Sequence, residues 1–147
     1  MATLSRADVL AARWHAHELD REPGAAAAVT DVAVLDLGVQ DTGSDGAAWA
    51  LAVRGAPDVA PGTLPPDLAL AWTLRGAPHV YRRADLADVA TATAPFSEAD
   101  AAKRVYDASR PLRAAGVAVL DALRAQARLE RALVAAPTVR GELSPRL

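Results

Sequence analysis

A chain of 147 residues, 52% hydrophobic and 23% charged, is too apolar to be disordered. It has room for one ordinary domain, or for one small domain and part of another. With no cysteine, disulfides and cysteine-ligated zinc are excluded, and a formal net charge of −2 argues against a strong non-specific binder of polyanions. Alanine inflates the apolar fraction and aromatic residues make up only 4%, so the few large side chains matter more, and Trp14, Trp49 and Trp72 are expected in the core. No apolar run approaches the roughly 20 residues of a membrane helix. The first twenty residues carry no apolar signal-peptide stretch, so the expected location is cytoplasmic.

The charge is unevenly distributed. Residues 1–96 hold 7 basic and 12 acidic side chains, a net of −5, whereas residues 97–147 hold 9 basic and 6 acidic, a net of +3. Within the acidic part, the stretch from Trp72 to Arg83 contains Arg75, His79, Arg82 and Arg83 and no acid. A local basic strip of this kind can bind phosphate against an unfavourable bulk charge, or be a solvated arginine face.

In chain order, a first helix is predicted after Ser5, with Ser5 and Asp8 as a capping box and Val9, Ala12, Ala16 and Leu19 on one stripe. Arg21-Glu-Pro-Gly24 stops it. A second helix is predicted from Ala25 to about Gly38, with Val29, Val32 and Leu35 buried; its valine content leaves a strand open. After a turn at 40–46, a short third helix runs from Asp45 to Val53, with Trp49 and Val53 on one face. A Pro/Gly-rich loop follows. Then Leu68, Leu70, Trp72 and Leu74 alternate with period two, Arg75-Gly-Ala-Pro78 reads as a hairpin tip with φ > 0 at Gly76, and His79 to Arg82 is the return strand. Arg83 to Thr93 reads as a helix ended by Pro95. Ser97 caps another that continues towards Gly116 with a kink or end at Pro111, and Val117 to Ala136 forms the longest. Thr138 to Leu147 starts a further helix, with Leu143 as its anchor.

Three stretches, taken together and in order, resemble the winged helix DNA-binding domain family of bacteria. They are Leu37-Gly-Val-Gln-Asp-Thr42 followed by Ala47-Ala-Trp-Ala-Leu-Ala-Val-Arg54, then Ala71-Trp-Thr-Leu-Arg-Gly-Ala-Pro-His79, then Ala136-Pro-Thr-Val-Arg-Gly-Glu-Leu143. Members of that family are usually much longer and carry tandem winged-helix units. The resemblance implies a mainly α fold with a β-hairpin: a winged helix–turn–helix domain at 1–95, and the helical start of a second, incomplete unit at 96–147. It implies double-stranded DNA as the partner, with helix three approaching the major groove. Arg54, Arg75, His79, Arg82 and Arg83 are the candidate contacts. Arg75 could instead bind Asp67 or Asp85, and His79 could hydrogen-bond within the hairpin.

Some members of the family are DNA glycosylases that release alkylated bases and unhook crosslinks, with a Gln-x-Gln or Gln-x-Asp signature. This chain reads Gln40-Asp41-Thr42, so the glutamine matches, threonine stands at the third position, and Asp41 offers a carboxylate one residue early. DNA binding is therefore the first reading and base release an alternative. A protein-interaction module is a third, with self-association through exposed apolar faces of Val117–Val134. His15 and His17 face different sides of a helix and make a poor metal pair, so no metal or cofactor is expected.

Overall fold

The computed structural model describes residues 4–43, 45–73, 76–134, 136, 138 and 141. Among them the chain is mainly helical, with six α-helices and one small three-stranded antiparallel sheet. It divides into two compact units, one up to Thr93 and one from Ala94. No helix among the described residues is long and apolar enough to cross a membrane. The hairpin positions Leu74 and Arg75, the helix expected from Thr138 to Leu147 and most of the third resembling stretch lie outside the described residues.

Helix α1 spans Arg6–Ala16, and its start is the expected capping box. The Ser5 hydroxyl accepts from the Asp8 N–H at 3.1 Å and the Asp8 carboxylate accepts from the Ser5 N–H at 2.9 Å. The helix buries none of its residues, so its apolar stripe is not a core face of this unit.

The second predicted helix is not α-helical. Two 3₁₀ turns, Val29–Asp31 and Ala33–Asp36, stand in its place, separated by Val32 in extended conformation. Val29, Val32 and Leu35 recur every three residues, which is the repeat of a 3₁₀ helix as well as part of an α-helical pattern. β-Branched valine and threonine then weaken the longer helix. Carboxylates finish both turns: Asp31 accepts from the Ala28 N–H at 3.0 Å, and Glu18 accepts from the Ala33 N–H at 2.7 Å. Val32 and Leu35 are fully buried despite the change of geometry.

Strand β1 (Val39–Gln40), helix α2 (Gly46–Ala52) and the hairpin strands β2 (Leu68–Trp72) and β3 (Pro78–Arg82) follow. The sheet order is β1–β3–β2, all antiparallel, with Val39 opposite Val80, Gln40 opposite His79 and Leu68 opposite Arg82. The hairpin matches the period-two reading, and Gly76 has the expected positive φ of 64°. One sheet face supplies Val39, Leu68 and Val80 to a core completed by Val32, Leu35, Ala47 and Leu51. The buried face of α2 is thus Ala47 and Leu51, two residues before the predicted Trp49 and Val53, which are exposed. All three tryptophans, expected in the core, are exposed: Trp14 by 56%, Trp49 by 65% and Trp72 by 75%. Small side chains fill the interior instead. At its rear edge Gly38 (φ 80°) lies against the ring of buried Tyr81, where an added Cβ would come far inside contact distance. A 3₁₀ turn at Arg83–Asp85 leads into α3 (Leu86–Thr93).

The second unit contains α4 (Glu98–Arg104), α5 (Ser109–Ala114) and α6 (Val119–Leu133). The helix expected to run on towards Gly116 breaks after Arg104, where Tyr106 takes a left-handed φ of 45°. Pro111 sits in the first turn of α5, where its missing N–H leaves no helical bond unmade. The core is small: Ala101, Ala102 and Val119, ringed by Val105, Leu112, Leu120 and Leu123. Ala118 cannot cap α6, and Glu98 does so from another helix, accepting from the N–H groups of Val119 and Leu120 at 2.9 Å each. Those two bonds hold the Glu98 carboxyl below the usual glutamate range.

Two expected outcomes follow from this packing. Gly38→Ala should destabilise the first unit by about 2–4 kcal/mol, from left-handed strain plus the collision with Tyr81. Gly24→Ala, at φ 73° with open space around it, should show the strain alone; thermal unfolding separates the two. Glu98 has a lowered pKa in the folded chain, so its contribution is whole above its ordinary value of 4.5 and is lost as pH falls below it. Glu98→Gln should therefore lower the unfolding midpoint at neutral pH, and the difference from wild type should shrink on acidification below that value.

Candidate nucleic-acid interface and an acidic cleft

The basic residues singled out in the hairpin turn out to be internal ties. Arg82, at the end of β3, lies on the core face of the sheet and reaches across the 3₁₀ segment. Its Nε donates to the Thr30 carbonyl at 2.6 Å and its Nη2 to the Val32 carbonyl at 3.2 Å. Its Nη1 pairs with Asp36 at 2.6 Å and with Asp85 at 3.3 Å. Arg83 donates from Nε to the Pro66 carbonyl at 2.7 Å and from Nη2 to the Leu68 carbonyl at 2.9 Å, fastening the loop that enters β2. These bonds engage both guanidinium groups with the chain itself, while Arg83 stays exposed. Asp85 does hold an arginine, but it is Arg82.

The other candidates are similarly occupied. Arg54 donates to the Ala50 carbonyl at 2.6 Å, and its buried Nε has no partner among the described residues. His79 is buried, with Nδ1 3.0 Å from the Ala77 carbonyl and 3.4 Å from the Thr73 hydroxyl. Thr73 in turn shares a 2.7 Å hydrogen bond with the Tyr81 hydroxyl. This is the within-hairpin alternative for His79. Arg75 lies outside the described residues.

The Gln40-Asp41-Thr42 stretch separates in space. Gln40 is exposed, directly across the sheet from His79. Thr42 is exposed as well. Asp41 is half-buried; its N–H donates to the Pro78 carbonyl at 2.9 Å and its carboxylate accepts from the Gly43 N–H at 3.2 Å. Of the three, Asp41 alone lines a cleft of about 270 Å³ between α2, the 59–65 loop and the sheet. Asp45 also lines it. It directly precedes α2, stands at φ 64° and makes no cap bond to that helix. Its carboxylate instead accepts from Gly62 N–H at 2.7 Å and holds the loop against the cleft. A partner seventeen residues ahead leaves no mark in the local pattern, so sequence reasoning missed it.

Compared with known protein families, with curated proteins and with solved structures, the chain finds no match. Its functional reading therefore rests on its own residues.

Arg82→Ala should cost the first unit about 2–4 kcal/mol, because it removes a donor from the Thr30 carbonyl, one of two donors from the Val32 carbonyl and the counter-charge of two carboxylates at once. Arg82→Lys should recover only a minor part, since an ammonium cannot reproduce the planar fork. Asp36→Asn should cost less, its carboxylate being 65% exposed and screened by water. Urea unfolding of the three variants gives the ranking.

Proposed function

We propose that the first unit is a winged-helix module that binds double-stranded DNA. The observation carrying this reading is the sheet order β1–β3–β2, with α2 inserted in the chain between β1 and the β2–β3 hairpin. In this reading the hairpin is the wing, α2 is the helix before it, and the 3₁₀ segment takes the place of the middle helix. The ordered set of motifs resembling the winged helix family supports the same assignment. The second, helical unit would open another module of this kind.

The internal engagement of Arg82 and Arg83 changes what touches the nucleic acid. The contact surface falls on Trp72, at the loop end of β2, and on Trp49, on the exposed face of α2. On a duplex, large exposed apolar groups of this type pack on sugars or wedge between base steps, contacts that neutralise no phosphate and so add little salt dependence. Binding is then weak and carried by few phosphate contacts, as the acidic balance of this part of the chain demands. Two phosphate contacts correspond to a loss of about tenfold in affinity between 50 and 200 mM salt.

Fluorescence anisotropy with a labelled duplex tests the proposal. Association is expected at low salt, weakening about tenfold across that range, and Trp72→Ala should reduce affinity by roughly tenfold with the circular dichroism unchanged. Absence of any association with duplex DNA at low salt would overturn the reading.

A further inference from the structure

The cleft beside α2 has a character that DNA binding does not use. Its walls are apolar: Ala47 and Leu51 from α2, Val59 and Leu64 from the loop, Leu70 and Val80 from the sheet. Two carboxylates, Asp41 and Asp45, stand in the same lining. Each has one oxygen engaged by a backbone N–H, of Gly43 and Gly62 respectively. No cationic side chain among the described residues pairs with either of them. Two carboxylates thus stand against an apolar cavity with no counter-charge among the described residues.

Unneutralised charge next to an apolar wall is costly, and a cation entering the cavity relieves that cost. The N-terminus of α2 contributes the opposite sign, but its partial charge is at most about +0.5, against two full negative charges. A metal ion is poorly served, because the walls offer few oxygen ligands and no group of three metal-ligating side chains forms among the described residues. The volume, about 270 Å³, exceeds the roughly 150 Å³ of a cavity that accepts benzene, so a ring with a polar substituent fits.

We propose that this cleft binds a small organic monocation: an amine or amidine carried on an aromatic or short aliphatic group. The apolar body lies against Leu51, Leu64 and Leu70, and the cationic head is held by Asp41 and Asp45. The inference does not depend on the DNA-binding reading; it stands on the cavity and its unpaired charge.

Titration of the full chain with benzamidine, and with neutral benzamide as its isostere, followed by ¹H–¹⁵N NMR, tests the proposal. Benzamidine should saturate in the millimolar range expected of a fragment of about nine heavy atoms, shifting the amides of Ala47, Leu51, Gly62 and Leu70. Benzamide should bind at least about tenfold more weakly, the difference a charged hydrogen bond makes. Asp41→Asn and Asp45→Asn should each weaken benzamidine several-fold and leave benzamide unaffected; the asparagine carbonyl at 45 still accepts from Gly62. Equal binding of the two probes to the wild-type chain, shifts located elsewhere, or no saturation by about 20 mM would overturn the proposal without reference to any variant.

Discussion

The first unit is held in shape by one guanidinium group. Between α1 and β1 the chain contributes Val32 and Leu35 to the centre of the core, yet it does so from 3₁₀ turns with no continuous helical ladder. Carbonyls in such a segment need donors from elsewhere, because an unpaired buried carbonyl costs about as much as a lost hydrogen bond. Arg82 supplies one to Thr30 and a second to Val32, whose carbonyl also accepts from the Leu35 N–H, and ties Asp36 and Asp85 to the same point. It can do so because it lies on the core face of β3 opposite buried Leu68, with its fork directed over the segment.

Arg82 belongs to a wider pattern in which charged side chains close backbone gaps that an alanine-rich interior cannot close by packing. Glu18 caps the second 3₁₀ turn and also pairs with Arg21; Asp45 holds Gly62; Glu98 caps α6 from α4. Alanine and valine bury modest area, so each such bond weighs more than it would in a leucine-rich core. The two core clusters are small and hold no aromatic side chain; Tyr81 is buried outside both.

This division decides what could be read from the sequence. Local signals came through: the Ser5–Asp8 capping box, the alternation of Leu68, Leu70 and Trp72, the positive φ at Gly76 and the existence of α2 and α6. Spacing of three was ambiguous at 29–35, since an α-helix and a 3₁₀ turn both bring such residues to one side. Size and hydrophobicity alone put the tryptophans in the core, whereas the core cluster holds aliphatic side chains no larger than leucine. The site was least legible. Arg82 and Asp36 are 46 residues apart and Asp45 and Gly62 are 17 apart, and no local periodicity encodes such pairs. Gln40 and Asp41 were identified as a stretch, but only the fold shows that one faces His79 across the sheet while the other faces the cleft.

The two functional proposals meet on strand β2. Leu70 lines the cleft, and Trp72 lies two residues further along the same strand, on the same face and at its free end. Two residues of strand span about 6.6 Å, so an apolar stripe runs from the cleft to Trp72. With the cleft empty, the charges of Asp41 and Asp45 oppose an approaching phosphate. A bound monocation offsets part of that charge without touching the aromatic surface. If both proposals hold, occupancy of the cleft and affinity for a polyanion are linked, and thermodynamic reciprocity requires the polyanion to strengthen binding of the cation by the same factor. The acidic balance of the first unit, which by itself argues against a DNA-binding role, then becomes the part of the surface that a small cation can tune.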